Sequence, residues 1–349
     1  LRLPAYSTGK CKFVAVTSIV WMSAAFVTGG SGFIGGRLVE RLVGEGRRVR
    51  ALARSDASAE RVAALGAEPV RGDIADRGSL AARAAGCELA FHLAAHLGEW
   101  GPWEEFERGN VEGTRNALAA CAEAGVQRFV HCGTEAALMA GEPLVHVDET
   151  APLRPDSRAP YPATKAKAEQ AVRDANREAF ETVVLRPRFV WGKGDTTLLP
   201  GMVATVEAGQ WAWVGGGRNV TDTAHVDNVV EGLVLAAEKG RSGEAYFVTD
   251  DEPVVFREFV TAMLQTQGVE PPGRSLPAWT AAPMASVCEA AWKLLPLKGD
   301  PPMTRFRSWL LTQECTIEID KAKSELGYAP LVSRDEGLAE LRAASPVAL

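Results

Sequence analysis

Four things are missing from this sequence, and each absence removes a class of function. There is no run of basic residues and the formal net charge is −6, so nothing in the chain offers an electrostatic footprint for nucleic acid. No stretch approaches the roughly 18 uninterrupted apolar residues of a membrane-spanning helix. The six cysteines (Cys11, Cys87, Cys121, Cys132, Cys288, Cys315) are scattered without a C-x-x-C pair, and the five histidines show no metal-ligand spacing; no structural metal and a reducing cytoplasm are expected. Nor is there an internal repeat or a low-complexity tract. What is present is globular in character. With 349 residues, 46% hydrophobic and 23% charged, the chain can bury a sizeable core and has room for about two domains of ~150 residues each.

Residues 1 to 21 set Arg2, Lys10 and Lys12 ahead of the apolar stretch Phe13 to Trp21, in the manner of a secretory signal. Cleavage there would fall against Ala24 to Thr28, a short apolar strand that the glycine loop behind it requires. Residues 1 to 21 are therefore expected to be a poorly ordered extension ahead of a start at Met22. From there the chain alternates. Apolar strand candidates at Ala24 to Thr28, Arg48 to Ala53, Glu68 to Arg71, Glu88 to Leu93, Arg128 to Cys132 and Thr182 to Arg186 are each followed by a stretch with helical spacing. This rhythm predicts an α/β fold, a Rossmann-type doubly wound parallel sheet over residues 22–190, with 222–248 returning to it. Beyond Pro187 the pattern breaks into glycine turns and proline connectors, which marks residues 191–221 and 249–349 as a smaller, less regular α/β substrate domain.

The first chemical signal is Thr28-Gly29-Gly30-Ser31-Gly32-Phe33-Ile34-Gly35, between a strand and a helix. In that context Gly29 permits a tight turn, Gly32 lets backbone approach a pyrophosphate, and Gly35 lets helix and strand pack closely, while the N–H groups from Phe33 and Ile34 onward open the helix N-terminus to phosphate. The alternative is a plain structural turn. Cofactor type is read at the end of the second strand, where Ala53-Arg54-Ser55 stands in place of the acid that holds an NAD ribose. A guanidinium at Arg54, helped by Arg37 or Ser55, suits a 2′-phosphate, so NADP is expected; NAD remains the alternative if Asp56 is a displaced acid.

The second signal is Pro160-Tyr161-Pro162-Ala163-Thr164-Lys165, opening a helix in which Tyr161 and Lys165 lie four apart on one face. An ammonium and an oxidised nicotinamide beside a phenol are expected to lower its pKa from about 10, so that Tyr161 can exchange a proton with a substrate oxygen. Lys165 would also bind the nicotinamide ribose. Thr134, just beyond strand Arg128 to Cys132, would orient the reacting oxygen.

These motifs, in this order, make the chain from Ala24 to about Tyr328 resemble the extended short-chain dehydrogenase/reductases. Within them it resembles the branch of 3β-hydroxysteroid dehydrogenases, sterol-carboxylate dehydrogenases and dihydroflavonol-type reductases. Further matching segments are Gly72-Asp73-Ile74, His92-Leu93-Ala94-Ala95, Asn110 to Asn116, Leu185-Arg186-Pro187 and His225-Val226-Asp227-Asn228. The resemblance implies adenine contacts at Asp73 and Ile74, cofactor contacts along Leu93, Ala94 and Ala95, a supporting role for Asn110, and nicotinamide contacts from Pro187. It also implies a homodimer formed by the helices bearing Tyr161 and Asn110. Cys132-Gly133-Thr134 departs from the serine pair usual before the catalytic hydroxyl.

Other residues have plainer readings. Cys132 reads as a buried strand thiol, His92 and His225 as hydrogen-bonded structural histidines, His131 as a neighbour of the sheet, and Asp148-Glu149 as a solvated loop. Of nine tryptophans, Trp100, Trp191, Trp211 and Trp213 are expected to contact an apolar substrate, with domain core as the competing role. The stretch Trp279 to Leu297, apolar with few charges, is expected to be a lid or a surface for membrane or partner. The expected activity is NADP-linked hydride transfer between a secondary alcohol and a ketone on a bulky apolar skeleton. A nucleotide-sugar epimerase or dehydratase and a non-catalytic dinucleotide sensor are the rivals.

Overall fold

The computed structural model describes residues 24–295 and 297–345, so the expectation for residues 1 to 21 lies outside the described residues. Seven parallel strands form the main sheet: β1 (Ala24–Thr28), β2 (Val49–Ala53), β3 (Glu68–Arg71), β4 (Cys87–His92), β5 (Arg128–Cys132), β6 (Glu181–Pro187) and β7 (Ala245–Val248). Their spatial order is β7-β6-β5-β4-β1-β2-β3. The chain leaves β1 in one direction and comes back to its other side with β4, which puts a crevice at the carboxyl ends of these two strands. β1 is buried at every position, as a strand covered on both faces must be.

Helices α1 (Phe33–Gly44), α2 (Asp56–Ala64) and α3 (Arg77–Ala84) cross between the first strands, and α4 (Gly113–Glu123) and α5 (Pro160–Asp174) pack side by side farther along. α1 shows how sequence becomes packing. Gly35, Leu38, Val39 and Leu42 form its buried stripe, and Arg41 carries charge in the last turn, where it suits the helix dipole. α6 (Val226–Lys239) covers β6 and β5 and contacts α1. A four-stranded sheet made of short segments, Leu144–Val147, Cys315–Ile317, Val220–Thr221 and Val254–Val255, lies outside the main one. A separate apolar cluster gathers Trp191, Leu199, Trp213, Phe256, Phe259 and Leu264. Two further helices matter below, α7 (Ala281–Leu294) and α8 (Arg305–Thr312), which pack on each other.

Candidate active site

The glycine loop is folded for close approach. Gly29 has φ +75°, and a Cβ there would sit 2.7 Å from Ala94 N; at Gly35 it would sit 2.1 Å from Gly29 O. Backbone of the β1 loop and of Leu93-Ala94 therefore touch across the crevice, a contact only glycine allows. α1 begins with no side-chain cap and no acid in its first turn, so its free N–H groups and positive dipole end face the crevice. This donor set fits a pyrophosphate. Asp73, Ile74, Leu93, Ala94 and Ala95 are all partly exposed, while Pro187 is buried at the end of β6.

At the end of β2, Arg54 is exposed and makes no hydrogen bond or ion pair within the described residues. Its two expected helpers are otherwise engaged. Arg37 grips the Asp227 carboxylate with Nε at 3.0 Å and Nη2 at 2.7 Å and also pairs with Glu40. Ser55 caps α2 through a reciprocal box with Ser58. Asp56, weighed as a ribose acid, is 3.4 Å from Arg71.

Tyr161, Lys165 and Thr134 come together at the carboxyl end of β5. Proline at the start of α5 fixes its first turn and sets Tyr161 at its mouth. Tyr161 is partly exposed, with its ring 5.7 Å from Phe306 on α8. Lys165 is buried, and its Nζ donates to Cys132 O at 3.0 Å. The expected acidification of the phenol is not what the protein alone shows. Burial, then the charge of Glu135, hold the Tyr161 hydroxyl above its ordinary value, while a hydrogen bond with Thr134 works the other way. Lys165 is lowered by burial.

Asn110 lies in a widened helical turn, Glu107–Glu112, ahead of α4. Its Oδ1 accepts from His96 N at 2.7 Å, and its Nδ2 donates to His96 O and to Thr164 Oγ1, both at 3.1 Å. It thus ties the loop after β4 to α5. His92 bridges Thr28 and Thr114 at 2.7 and 3.0 Å and is lowered to about 3, mainly by burial, so it is a neutral structural residue. His131 stacks on it and is likewise driven neutral. Burial pushes the Cys132 thiol up to about 11.

The expectations for the tryptophans and for the Asp148-Glu149 loop need correction as well. Trp191 and Trp213 are 1% and 2% exposed and belong to the apolar cluster, their indole N–H groups donating to Asp250 Oδ2 and Pro272 O. They are core, because a large ring with a satisfied N–H is more stable there than at a cleft wall. Glu149 is half-buried and accepts from Phe247 N at 2.7 Å, whereas Asp148 is exposed. Trp100 and Trp211 are partly exposed; Lys293 stands 5.7 Å from the Trp100 ring centre.

The sequence reading passed over Glu135 and Arg188. Glu135 is 4% exposed, accepts from Thr134 Oγ1 at 2.8 Å and pairs with Arg188 at 2.6 Å. An acid directly after the candidate hydroxyl was the available signal. Asp250 was missed as well; nothing in its surroundings marks it before the fold is known.

Comparison with known proteins gives a consistent picture. The profile of the 3-beta hydroxysteroid dehydrogenase/isomerase family matches residues 26–278. The 4-hydroxy-2-methyl-3-oxo-4-farnesyl-3,4-dihydroquinoline-1-oxide ketoreductase of Stigmatella aurantiaca is 46% identical over 321 residues, 92% of this chain and 96% of that protein. The 2-alkyl-3-oxoalkanoate reductase of Stenotrophomonas maltophilia is 38% identical over 330 residues, 91% of this chain and 98% of that one. Among solved structures, the dTDP-glucose 4,6-dehydratase of Streptomyces venezuelae with NAD and TYD bound superposes with a TM-score of 0.71 at 25% identity, covering 92% of this chain and 96% of that chain.

Proposed function

The chain belongs to the 3-beta hydroxysteroid dehydrogenase/isomerase family and is an oxidoreductase of hydroxyl and keto groups that uses a nicotinamide dinucleotide; from this premise we propose that it is an NADP-linked ketoreductase for a bulky apolar substrate. The observation that carries the reading is the meeting of Tyr161, Lys165 and Thr134 at the end of β5, beside a glycine crevice whose donors suit a pyrophosphate. The preference for NADP rests on the uncommitted guanidinium of Arg54, and the apolar substrate class on the farnesylated ketone named for the Stigmatella relative.

The glycine crevice and Lys165 would hold the nicotinamide dinucleotide, which would supply the hydride for the carbonyl carbon. Tyr161 would give its phenolic proton to the carbonyl oxygen, Thr134 would orient that oxygen by turning to it the hydroxyl proton that otherwise goes to Glu135, and Lys165 would hold the cofactor ribose. Asn110 keeps the catalytic helix in register with the β4 loop through His96 and Thr164. Asp73, Ile74 and Leu93 to Ala95 would line the dinucleotide, with Pro187 on the nicotinamide side. Residues 191–221 and 249–349 furnish the substrate side.

Three further features belong to the same reading. A groove of about 810 Å³ runs along α4 and α5, lined by Arg115, Ala119, Ala122, Lys167, Gln170 and Asp174; residues of both signs suit a second copy, and a homodimer is proposed. Five free cysteines among the described residues accord with the cytoplasm. Among the described residues no helix is long and apolar enough to cross a membrane, but α7 shows an apolar exposed face suited to a bilayer surface.

The test is Tyr161→Phe, assayed with NADPH and NADH against apolar ketones and nucleotide sugars. Turnover should fall at least ~100-fold, the scale of general-acid catalysis, with cofactor binding kept. A variant that reduces ketones at the parent rate would overturn the reading, as would turnover of nucleotide sugars alone.

A further inference from the structure

Thr134 lies two residues past β5 and is followed at once by a buried acid. The Glu135 carboxylate has both oxygens committed: Oε2 accepts the Thr134 hydroxyl at 2.8 Å, and Oε1 accepts Arg188 Nη1 at 2.6 Å. Arg188, 2% exposed, is itself held, with Nε and Nη2 donating to Thr221 Oγ1 at 3.2 and 3.1 Å. A chain of hydrogen bonds thus runs from the reacting hydroxyls to a guanidinium anchored in the second sheet. Packing does not demand it, because apolar residues of similar volume generally replace a buried ion pair at little loss or some gain of stability. What the pair adds is a fixed negative charge one hydrogen bond from the oxygen that orients the substrate.

We propose that Glu135 is a positioning residue, clamped by Arg188, which fixes the Thr134 hydroxyl and sets a negative charge beside Tyr161, so that ketone reduction persists to higher pH and alcohol oxidation is confined to more alkaline conditions. This rests on the reading of Tyr161 as proton donor. Reduction needs the phenol protonated and oxidation needs it ionised; a neighbouring carboxylate disfavours the phenolate, so both pH limits move up together. Among the described residues, the groups that bear on Tyr161 come from three elements. From the end of β5 and just past it come Cys132, Thr134 and Glu135; from α8 the Phe306 ring; on its own helix Lys165, one turn on, donates to Cys132 O. Behind Glu135 stand Arg188 and, beyond it, Cys315 and Asp222. Burial raises the Cys132 and Cys315 thiols to about 11 and 12, which keeps them neutral near neutral pH, and raises Asp222 to about 6.

The experiment compares the full chain with its Glu135→Gln and Glu135→Asp variants. NADPH-dependent reduction of the bicyclic ketone decalone and NADP-dependent oxidation of decalol are followed across pH. With Glu135→Gln both limits should move to lower pH by about one unit, the scale of a lost neighbouring charge, at unchanged NADPH affinity. Glu135→Asp should restore the parent limits. The same shift is read without turnover as the pH midpoint of near-ultraviolet tyrosinate absorbance in the NADP-bound protein, with Tyr161→Phe identifying the contribution of Tyr161. If Glu135→Gln fails to fold for want of a partner for Arg188, the double variant Glu135→Gln, Arg188→Met removes both charges and gives the same readouts. Unmoved limits and an unmoved midpoint in a folded variant would overturn the proposal, whereas unimpaired turnover in Tyr161→Phe would overturn the underlying mechanism instead.

Discussion

The proposed preference for NADP turns on Arg54. That residue follows β2 directly, with its guanidinium exposed and uncommitted among the described residues, while Arg37 and Ser55 serve Asp227 and the cap of α2. A 2′-phosphate would therefore depend on Arg54 nearly alone. A hydrogen bond to a charged group is worth about 1.5–3 kcal/mol, roughly ten- to a hundredfold in binding. Arg54→Ala should raise the KM for NADPH by about that factor and leave NADH nearly untouched. Steady-state kinetics with the two cofactors decides it, and a parallel loss for both would show that Arg54 serves the fold and not the phosphate. Tyr161, Lys165 and Thr134 were legible because their spacing carries its own chemistry. Glu135 was not, since one acid beside a threonine is common and only the fold brings Arg188 against it.

At the scale of elements, the strands of the alternating half stand in the sequence almost to the residue; β1, β3 and β5 have the expected bounds, and β2, β4 and β6 differ by a residue at one or both ends. Burial on both faces leaves long apolar runs that signal themselves. β7, only Ala-Tyr-Phe-Val, lacks that length and a helix of its own behind it. α7 breaks the usual rule for surface helices. Its buried positions are Ala281, Ala285 and Glu289, the acid neutralised by Arg305, while Val287 and Leu294 are 69% and 83% exposed and Trp279, just before the helix, is 77% exposed. Of the exposed charges nearby, Lys293 and Lys298 are positive and Asp300 is negative, a net positive balance that complements an anionic bilayer. α7 packs on α8, whose Phe306 touches Tyr161, so a docked membrane would lie two layers from the chemistry. Burying each large apolar side chain is worth about 1.5–3 kcal/mol. Val287→Asp with Leu294→Asp should therefore weaken sedimentation with phosphatidylglycerol-containing vesicles at least ~10-fold, with decalone turnover unchanged. Equal binding by parent and variant would remove the bilayer as occupant, and a loss of self-association in its place would assign the face to a second copy.

Across the whole molecule, one carboxylate holds the sheet to the parts beyond it. Asp250, just past β7, is 6% exposed and makes no ion pair among the described residues. It takes four donors instead: Trp191 Nε1 at 2.8 Å and Thr223 Oγ1 at 2.7 Å on Oδ2, His225 N at 2.6 Å and Asn228 Nδ2 at 2.8 Å on Oδ1. Asn228 in turn donates to Val332 O and accepts from Leu331 N and Val332 N, drawing the C-terminal segment onto α6. The His225-Val226-Asp227-Asn228 motif is thus a joint, and its histidine serves by backbone and helix cap. Replacing the acid by Asn would set an amide N–H₂ against donors, and replacing it by Ala would strand all four, where each buried group left unmade costs about 1–3 kcal/mol. Asp250→Ala should therefore lose at least ~3 kcal/mol of stability, read as a lower urea midpoint. Because Trp191 belongs to the apolar cluster and the glycine crevice does not, the KM for ketone should rise while NADPH affinity holds. An unchanged midpoint would mean that water or a shifted side chain satisfies those donors, and that the second part of the molecule is held by apolar packing alone.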